Sequence, residues 1–445
     1  MTAATVASEP SRLAFMLRAL KSRNYRLFFA GQLVSLIGSW LTTVAISWLV
    51  YRLTGSAFLL GLAGFAGQFP TFIGAPFTGA LVDRWPLRRT LVITQTLAML
   101  QSFGLAAIVL TGHETYGAIL SLAVFQGFIN AFDIPTRQAF VVQMLDDRAD
   151  LPNAIALNSS MVNGARLLGP SAAGILIAAF GEGLCFFIDG VSYIFVIIAL
   201  LMMTVAKRAA PKEGHPPVLE SIKEGFEASF GFAPIRAVLL LLALVSLAGV
   251  PYMVLMPVFA KEILHGGPGL LGVLTGAAGV GALCGGVYLA SRRSVVGISR
   301  ALVTAAITFG VALVAFGFSR SIPVSILIMP IAGASMIIEM AGTNTLIQTL
   351  AEDHQRGRVM AMFTMCFMGT VPIGSLICGL VADHFGAPIT VMAGGVMCIA
   401  GGIVFNAARP KLRPLVTPIY IRRGILPEIA EGMRTASTAT DNIAG

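Results

Sequence analysis

From Leu53 to Val82, and again from Thr90 to Gly112, the chain runs without a charged side chain. Each run is long enough to cross the hydrocarbon core of a bilayer as a helix, which takes about 20 residues. Between them, Gly79 to Arg89 reads Gly-Ala-Leu-Val-Asp-Arg-Trp-Pro-Leu-Arg-Arg, so four charges, Asp83, Arg84, Arg88 and Arg89, are confined to one very short connection. The pattern recurs along the chain. Hydrophobic residues make up 56% and charged residues 11%, against about 25% charged in soluble domains. The runs are apolar on every side rather than striped, which excludes a soluble core. The expectation is an all-α membrane protein of twelve transmembrane helices.

The net charge of +9 would suit a nucleic-acid partner, but its distribution assigns it to topology. With spans placed alternately from a cytoplasmic N-terminus, 26 of the 30 lysines and arginines fall in cytoplasmic segments. Arg52, Lys261 and Arg320 fall outside, and Arg166 falls within a span. This positive-inside bias predicts a multi-pass protein of the inner membrane with both termini cytoplasmic, and no nucleic-acid partner. All five cysteines lie in apolar runs, with neither metal-ligand spacing nor an external loop for a disulfide. No cleavable signal pattern, His-Glu metal spacing, Gly-x-Ser-x-Gly elbow or phosphate loop appears. An enzyme, a cofactor and a metal site are therefore not expected.

Taken in order, residues 1–26 are polar and basic and read as a short helix on the inner membrane surface. Spans 1 to 6 follow within 27–206. Span 1 carries Gln32 and a series of Ser and Thr; the amide of Gln32 wants partners that lipid lacks. Span 4 ends in Asp133-Ile-Pro135-Thr-Arg137, which reads as a helix broken at Pro135 with charges of both signs facing the opening loop. In span 5, Arg166 lies about 20 Å along the helix at 1.5 Å per residue. An arginine there costs at least ~2.5 kcal/mol unless it meets water or a carboxylate. Asp189 in span 6 lies too far in depth from Arg166 for direct pairing and needs another partner or a protonated state, and span 10 carries Glu339. Residues 207–236 form a linker, in which Val218–Phe230 has the spacing of an amphipathic helix. Spans 7 to 12 occupy 237–410, and the tail from 411 to 445 reads as mobile. Glycine-rich span 8, with Gly272, Gly276, Gly279, Gly281, Gly285 and Gly286, should pack closely against a neighbour.

The two halves repeat. A shift of 205 places Gln143-x-Leu145-x-Asp147 on Gln348-x-Leu350-x-Glu352, Gly169 on Gly374, Gly174 on Gly379, and Phe180-Gly181 on Phe385-Gly386. Glu339 lands within one residue of Asp133, and Leu59-Leu60-Gly61 corresponds to Leu270-Leu271-Gly272 at a slightly larger shift. Two pseudo-symmetric six-helix bundles with a central site describe a transporter.

Gly79, Asp83, Arg84 and Arg88 resemble the G-x-x-x-D-R-x-G-R-R loop of the major facilitator superfamily, with Pro86 and Leu87 departing from it. Pro135-x-Arg137-Gln-Ala, Pro152-Asn153-Ala154 and Arg166-Leu-Leu-Gly169-Pro170 resemble its bacterial branch of enterobactin and macrolide exporters. Gly169-Pro170-x-x-x-Gly174 is similar to the span-5 motif of antiporters. Where the family carries an arginine three residues before a Gln-Gly pair, this chain has Ala123. The resemblance implies a monomeric secondary transporter in membrane lipid that exports a small amphipathic molecule by alternating access, with protons as coupling ion. A lipid or lysolipid flippase or an importer on the same fold is the alternative. Gly79, Asp83, Arg84, Arg88, Asp133, Arg137, Gly169 and Pro170 are the expected gating residues, with Arg84 and Arg88 binding carboxylates such as Asp133. Gln32, Arg166, Asp189 and Glu339 are the expected cavity and coupling residues.

Overall fold

The computed structural model describes residues 17–82, 85–204, 218–292, 294–353 and 355–426. Asp83 and Arg84 therefore lie outside the described residues, as do most of the basic N-terminus and the end of the tail. Every regular element among the described residues is helical, and twelve helical stretches are long and apolar enough to cross a membrane. The longer helices are α1 (Arg23–Thr54), α2 (Ala57–Val82), α3 (Leu87–Leu110), α4 (Tyr116–Met144), α5 (Leu151–Phe180), α6 (Glu182–Met202), the amphipathic α7 (Val218–Gly231), α8 (Ala233–Ala248), α9 (Pro268–Ser291), α10 (Ile298–Phe318), α11 (Ile322–Leu350), α12 (Arg356–Thr364), α13 (Thr370–Phe385) and α14 (Ala387–Arg422). The seventh span continues past α8 to Ile263, and the eleventh joins α12 to α13.

The chain divides into two compact units. One comprises Met1–Leu53 and Ala66–Glu213, the other Thr54–Phe65 and Gly214–Gly445. Helix α2 thus begins in the second unit and ends in the first.

In the first unit, small residues set how closely the helices approach, as helix association in lipid requires. Gly31 and Gly38 bring α1 onto α6: a Cβ on Gly31 would lie 3.2 Å from the Phe195 carbonyl oxygen. Gly190 brings α6 onto α3, where a Cβ would lie 2.6 Å from the ring of Phe103. Tyr25, Phe28, Leu91, Phe140, Met144 and Leu200 close the core at one end of this unit. In the second unit α9 crosses α11 at backbone contact. A Cβ on Gly281 would overlap the Pro330 carbonyl, and one on Gly333 the Ala278 carbonyl, while Gly285 would meet the Ala334 oxygen at 2.5 Å. The expected close packing of span 8 is thus built from these glycines. At the start of α2, Gly61 and Gly379 face each other with a Cβ-to-Cα separation of 2.9 Å.

The repeat has a geometric counterpart within each unit. Gly181 ends α5 at φ 79° and Gly386 ends α13 at φ 86°, a conformation that favours glycine. Gly169 packs on Trp40 of α1, and Gly374 packs on Leu247 and Pro251 at the end of α8. Each of these glycines therefore meets the first span of its own half.

Three expectations are corrected. The fourth span is not broken at Pro135: α4 runs unbroken to Met144. Pro135 supplies no N–H for the Ala131 carbonyl, yet the helix carries on past it, and Thr136 Oγ1 donates to the Phe132 carbonyl at 2.6 Å. The tail is not loose from 411 onward, because α14 continues to Arg422 through Pro410, Pro414 and Pro418. Their spacing of four stacks the missing N–H groups on one exposed stripe, and Arg423 pins the end by donating to the Ala351 carbonyl at 2.7 Å. The basic segment before span 1 holds only a 3-10 turn, Arg18–Lys21, among its described residues, and Arg23 and Arg26 already belong to α1. That turn is docked: Arg18 pairs with Asp150 at 3.0 Å, the Ala19 N–H donates to Asn153 Oδ1 at 2.9 Å, and Tyr25 OH donates to the Ala154 carbonyl at 2.7 Å. Pro152-Asn153-Ala154 thus holds the start of α1 to the start of α5.

Candidate transport and gating residues

Helix α3 carries polar side chains at two depths, and each serves a buried acid. Near its start, Thr94 Oγ1 and Gln95 Nε2 both donate to Asp133 Oδ1 at 2.8 Å. The other oxygen of Asp133 accepts from Arg137, one helical turn later on the same face of α4. Asp133 is 3% exposed, so its charge is met by a cation and two dipoles rather than by water.

Eight residues further along α3, Ser102 Oγ donates to Asp189 Oδ2 at 2.8 Å, and Thr42 Oγ1 of α1 donates to the same oxygen at 2.8 Å. Asp189 is 1% exposed, and its Oδ1 has no hydrogen-bond partner among the described residues. Gly38 makes room for this acid: a Cβ there would lie 2.7 Å from Asp189 Oδ1 and 2.7 Å from Ser192 Oγ. Tyr193, Ala98 and Ile129 pack together between the levels of the two acids, and Tyr193 OH lies 3.4 Å from Ser39 Oγ.

Arg166 meets neither acid at ion-pair distance. Its guanidinium lies over the Trp40 ring at 5.7 Å from the centroid, a contact worth about 0.5–2 kcal/mol depending on desolvation. Trp40 is also the surface against which Gly169 packs, so Arg166 and Gly169 of α5 address one aromatic residue of α1, and Pro170 next to them is buried. Gln32 is buried, with Oε1 lacking a hydrogen-bond partner among the described residues. In the second unit Glu339 is 2% exposed and accepts from Thr343 Oγ1 at 3.3 Å. The residue one turn after Asp133 is an arginine; the residue one turn after Glu339 is this threonine. Among the described residues no cation lies at ion-pair distance from Asp189 or Glu339.

Arg88 departs from expectation. It does not bind Asp133; its Nε and Nη2 donate to the Leu200 and Leu201 carbonyls at 2.7 and 2.6 Å. Those are C-terminal carbonyls of α6, which no longer have partners within the helix and attract a cation. Gly79 lies inside α2, three residues before its end.

Sequence reasoning passed over one cluster. Arg52 at the end of α1 pairs with Glu182 at 2.8 Å and with Glu114 at 3.3 Å, joining three ends of the first unit. The signal was present, since all three charges flank apolar runs on the side expected to be external. Glu114, in the turn between α3 and α4, is held below the usual carboxylate range by a backbone hydrogen bond, with Arg52 adding to it. Trp40, Ser102 and Tyr193 were likewise unremarkable in the sequence, whereas Thr42 belongs to the Ser and Thr series noted in span 1. Among the described residues no group of His, Cys, Asp or Glu could hold a metal ion, and all five cysteines are free.

Residues 15–415 match the family described as transmembrane secretion effector. The staphyloferrin A transporter of Staphylococcus aureus is 24% identical over 394 residues, covering 87% of this chain and 97% of the relative. The multidrug efflux pump Tap of Mycolicibacterium fortuitum is 26% identical, covering 85% and 93%. Macrolide efflux protein A of Streptococcus pyogenes is 24% identical, covering 86% and 96%. Among solved structures, the nucleoside transporter NupG superposes with a TM-score of 0.63 at 15% identity, covering 87% of this chain and 98% of that one. A bacterial homologue of the iron transporter ferroportin does so at 0.64 and 16%, covering 86% and 98%. At these identities the structures share the fold.

Proposed function

Because the chain belongs to the transmembrane secretion effector family of the major facilitator superfamily, we propose that it exports a small amphipathic organic molecule by alternating access, in exchange for protons. Relatives named for multidrug efflux, macrolide efflux and staphyloferrin A transport support cargo of the drug or siderophore kind. The observation that carries the coupling is the contrast among three buried acids. Asp133 is met by Arg137, whereas among the described residues Asp189 and Glu339 are met only by hydroxyls. Burying a carboxylate without a cation is costly, and the missing compensation is what a proton or a cationic substrate group supplies. In this reading Asp189 and Glu339 exchange protons or bind cationic cargo, while Arg166 and Gln32 contact polar groups of the substrate.

The gate is assigned to Gly79, Asp83, Arg84, Arg88, Asp133 and Arg137. Gly169 and Pro170 hold α5 against α1 as the first unit moves. Arg88 acts by tying the start of α3 to the end of α6. The protein functions as a monomer with both termini cytoplasmic.

The test is drug or siderophore export from vesicles energised by a pH gradient. Transport should collapse on adding a protonophore. Asp189→Asn and Glu339→Gln should each lose gradient-driven export at normal membrane levels. Export that ignores the gradient, or full activity in both variants, would remove the proton-exchange assignment.

A further inference from the structure

On the outer surface of the first unit, α3 and α4 enclose a groove of about 260 Å³. Its walls are Ile93 and Leu97 of α3 and Phe125, Phe128 and Phe132 of α4, and Trp85, in the connection before α3, closes one end. Trp85 lies stacked on Phe132, with ring centroids 6.0 Å apart and planes 11° apart. Ile93 and Phe128 remain 50% and 56% exposed, so the groove opens to whatever surrounds the helices. Only Thr90 and Thr94 bring hydroxyls to it, and both are spent. Thr90 donates to the Pro86 carbonyl at 3.2 Å, and Thr94 donates to Asp133 at 2.8 Å. The lining is almost wholly apolar, so an apolar chain fits it better than a polar solute does.

The mouth has the opposite chemistry. Arg89 is exposed and lies one helical turn before Ile93 on the same face of α3. Its neighbour Arg88 points elsewhere, to the Leu200 and Leu201 carbonyls. No carboxylate among the described residues lies at ion-pair distance from Arg89. An arginine one helical turn before an apolar slot within the span matches an anionic headgroup followed by its acyl chain.

We infer that this groove binds one anionic phospholipid, its phosphate on Arg89 and an acyl chain between Ile93, Leu97, Phe125 and Phe128. The lipid comes from the leaflet that meets the α2–α3 connection. Thr94 lines the groove and holds Asp133, so the bound chain braces the wall that positions that acid. The assignment stands whether or not the protein exchanges protons.

Trp85, one of three tryptophans, supplies the probe. The full chain is placed in phosphatidylcholine nanodiscs containing either phosphatidylglycerol or further phosphatidylcholine with brominated acyl chains. The Trp85 signal is taken as the difference from Trp85→Phe. Brominated phosphatidylglycerol should quench it with about tenfold higher apparent affinity, the size of one charge-assisted hydrogen bond. Arg89→Gln should abolish that preference and Arg89→Lys should retain most of it, both at unchanged melting temperature. Glycerol phosphate and inorganic phosphate should not compete, because the chain is required. Equal quenching by both lipids would reduce the groove to ordinary lipid contact. A preference surviving Arg89→Gln, competition by free phosphate, or absence of quenching by either lipid would each overturn the assignment.

Discussion

Replacing Gly38 by alanine places one methyl group at the tightest point around Asp189. The new Cβ would sit 2.7 Å from both Asp189 Oδ1 and Ser192 Oγ and 3.1 Å from the Asp189 Cα. Those side-chain contacts fall about 0.7 Å short of ordinary van der Waals distance. The backbone of α6 is close behind, so the carboxylate must rotate or the two helices must separate. Rotation breaks the 2.8 Å bonds from Thr42 and Ser102, and hydrogen bonds to a charged group are worth about 1.5–3 kcal/mol each. Separation costs about 1–3 kcal/mol as overpacking. Whichever route is cheaper sets the loss, so we expect destabilisation of about 1–3 kcal/mol and a larger deficit in export. Gly104→Ala is the control on α3, because its nearest neighbour would be the Leu122 side chain at 3.9 Å. Thermal unfolding of detergent-purified protein and transport in proteoliposomes should both separate the two variants. If Gly38→Ala matches Gly104→Ala in both assays, the account of Asp189 as a sterically set site is wrong.

Gly333→Ala should cost at least as much stability as Gly38→Ala, since its Cβ would overlap a backbone carbonyl, whereas Gly286→Ala, with nothing within 4 Å, should be neutral; comparing their melting temperatures decides it. Arg52→Gln should loosen the first unit by roughly 0.5–2 kcal/mol, read as earlier thermal unfolding. Glu114 is held below its ordinary range, so its share of that stability should persist above the usual glutamate range and be lost as pH falls through the lowered value. A melting-temperature difference between Arg52→Gln and the parent that does not shrink on acidification would refute this. For topology, an impermeant thiol reagent added outside should label His113→Cys and not Ser294→Cys, and the reverse would overturn the positive-inside reading.

The spans were legible because lipid imposes a crude and long-range rule: an uninterrupted apolar run must become a helix. The repeat was legible because Gly181 and Gly386 hold positive φ, where few other residues fit. Individual partners were not. Thr42 and Ser102 are two hydroxyls among many, and only the crossing of α1, α3 and α6 selects them for Asp189. Arg88 misled for a related reason. A carboxylate expected at the same membrane surface looked the better partner, but helix-end carbonyls, which carry no letter in a sequence, took the guanidinium. Pro135 was read as a break because its missing N–H is visible, yet one lost ladder bond does not end a helix that runs on to Met144.

The ties at the start of α1 and α2 impose an order on assembly. Tyr25 and its acceptor Ala154 are 129 residues apart, and Asn24 and its acceptor Thr204 are 180 apart. At roughly 5–20 residues per second, the start of the first helix waits on the order of ten seconds for these partners during synthesis. Ser56 waits longer, since its acceptor Asp383 lies 327 residues downstream. The opening turns of α2 therefore gain this tie only when the chain is nearly complete, so that corner of the second unit is among the last to close during synthesis.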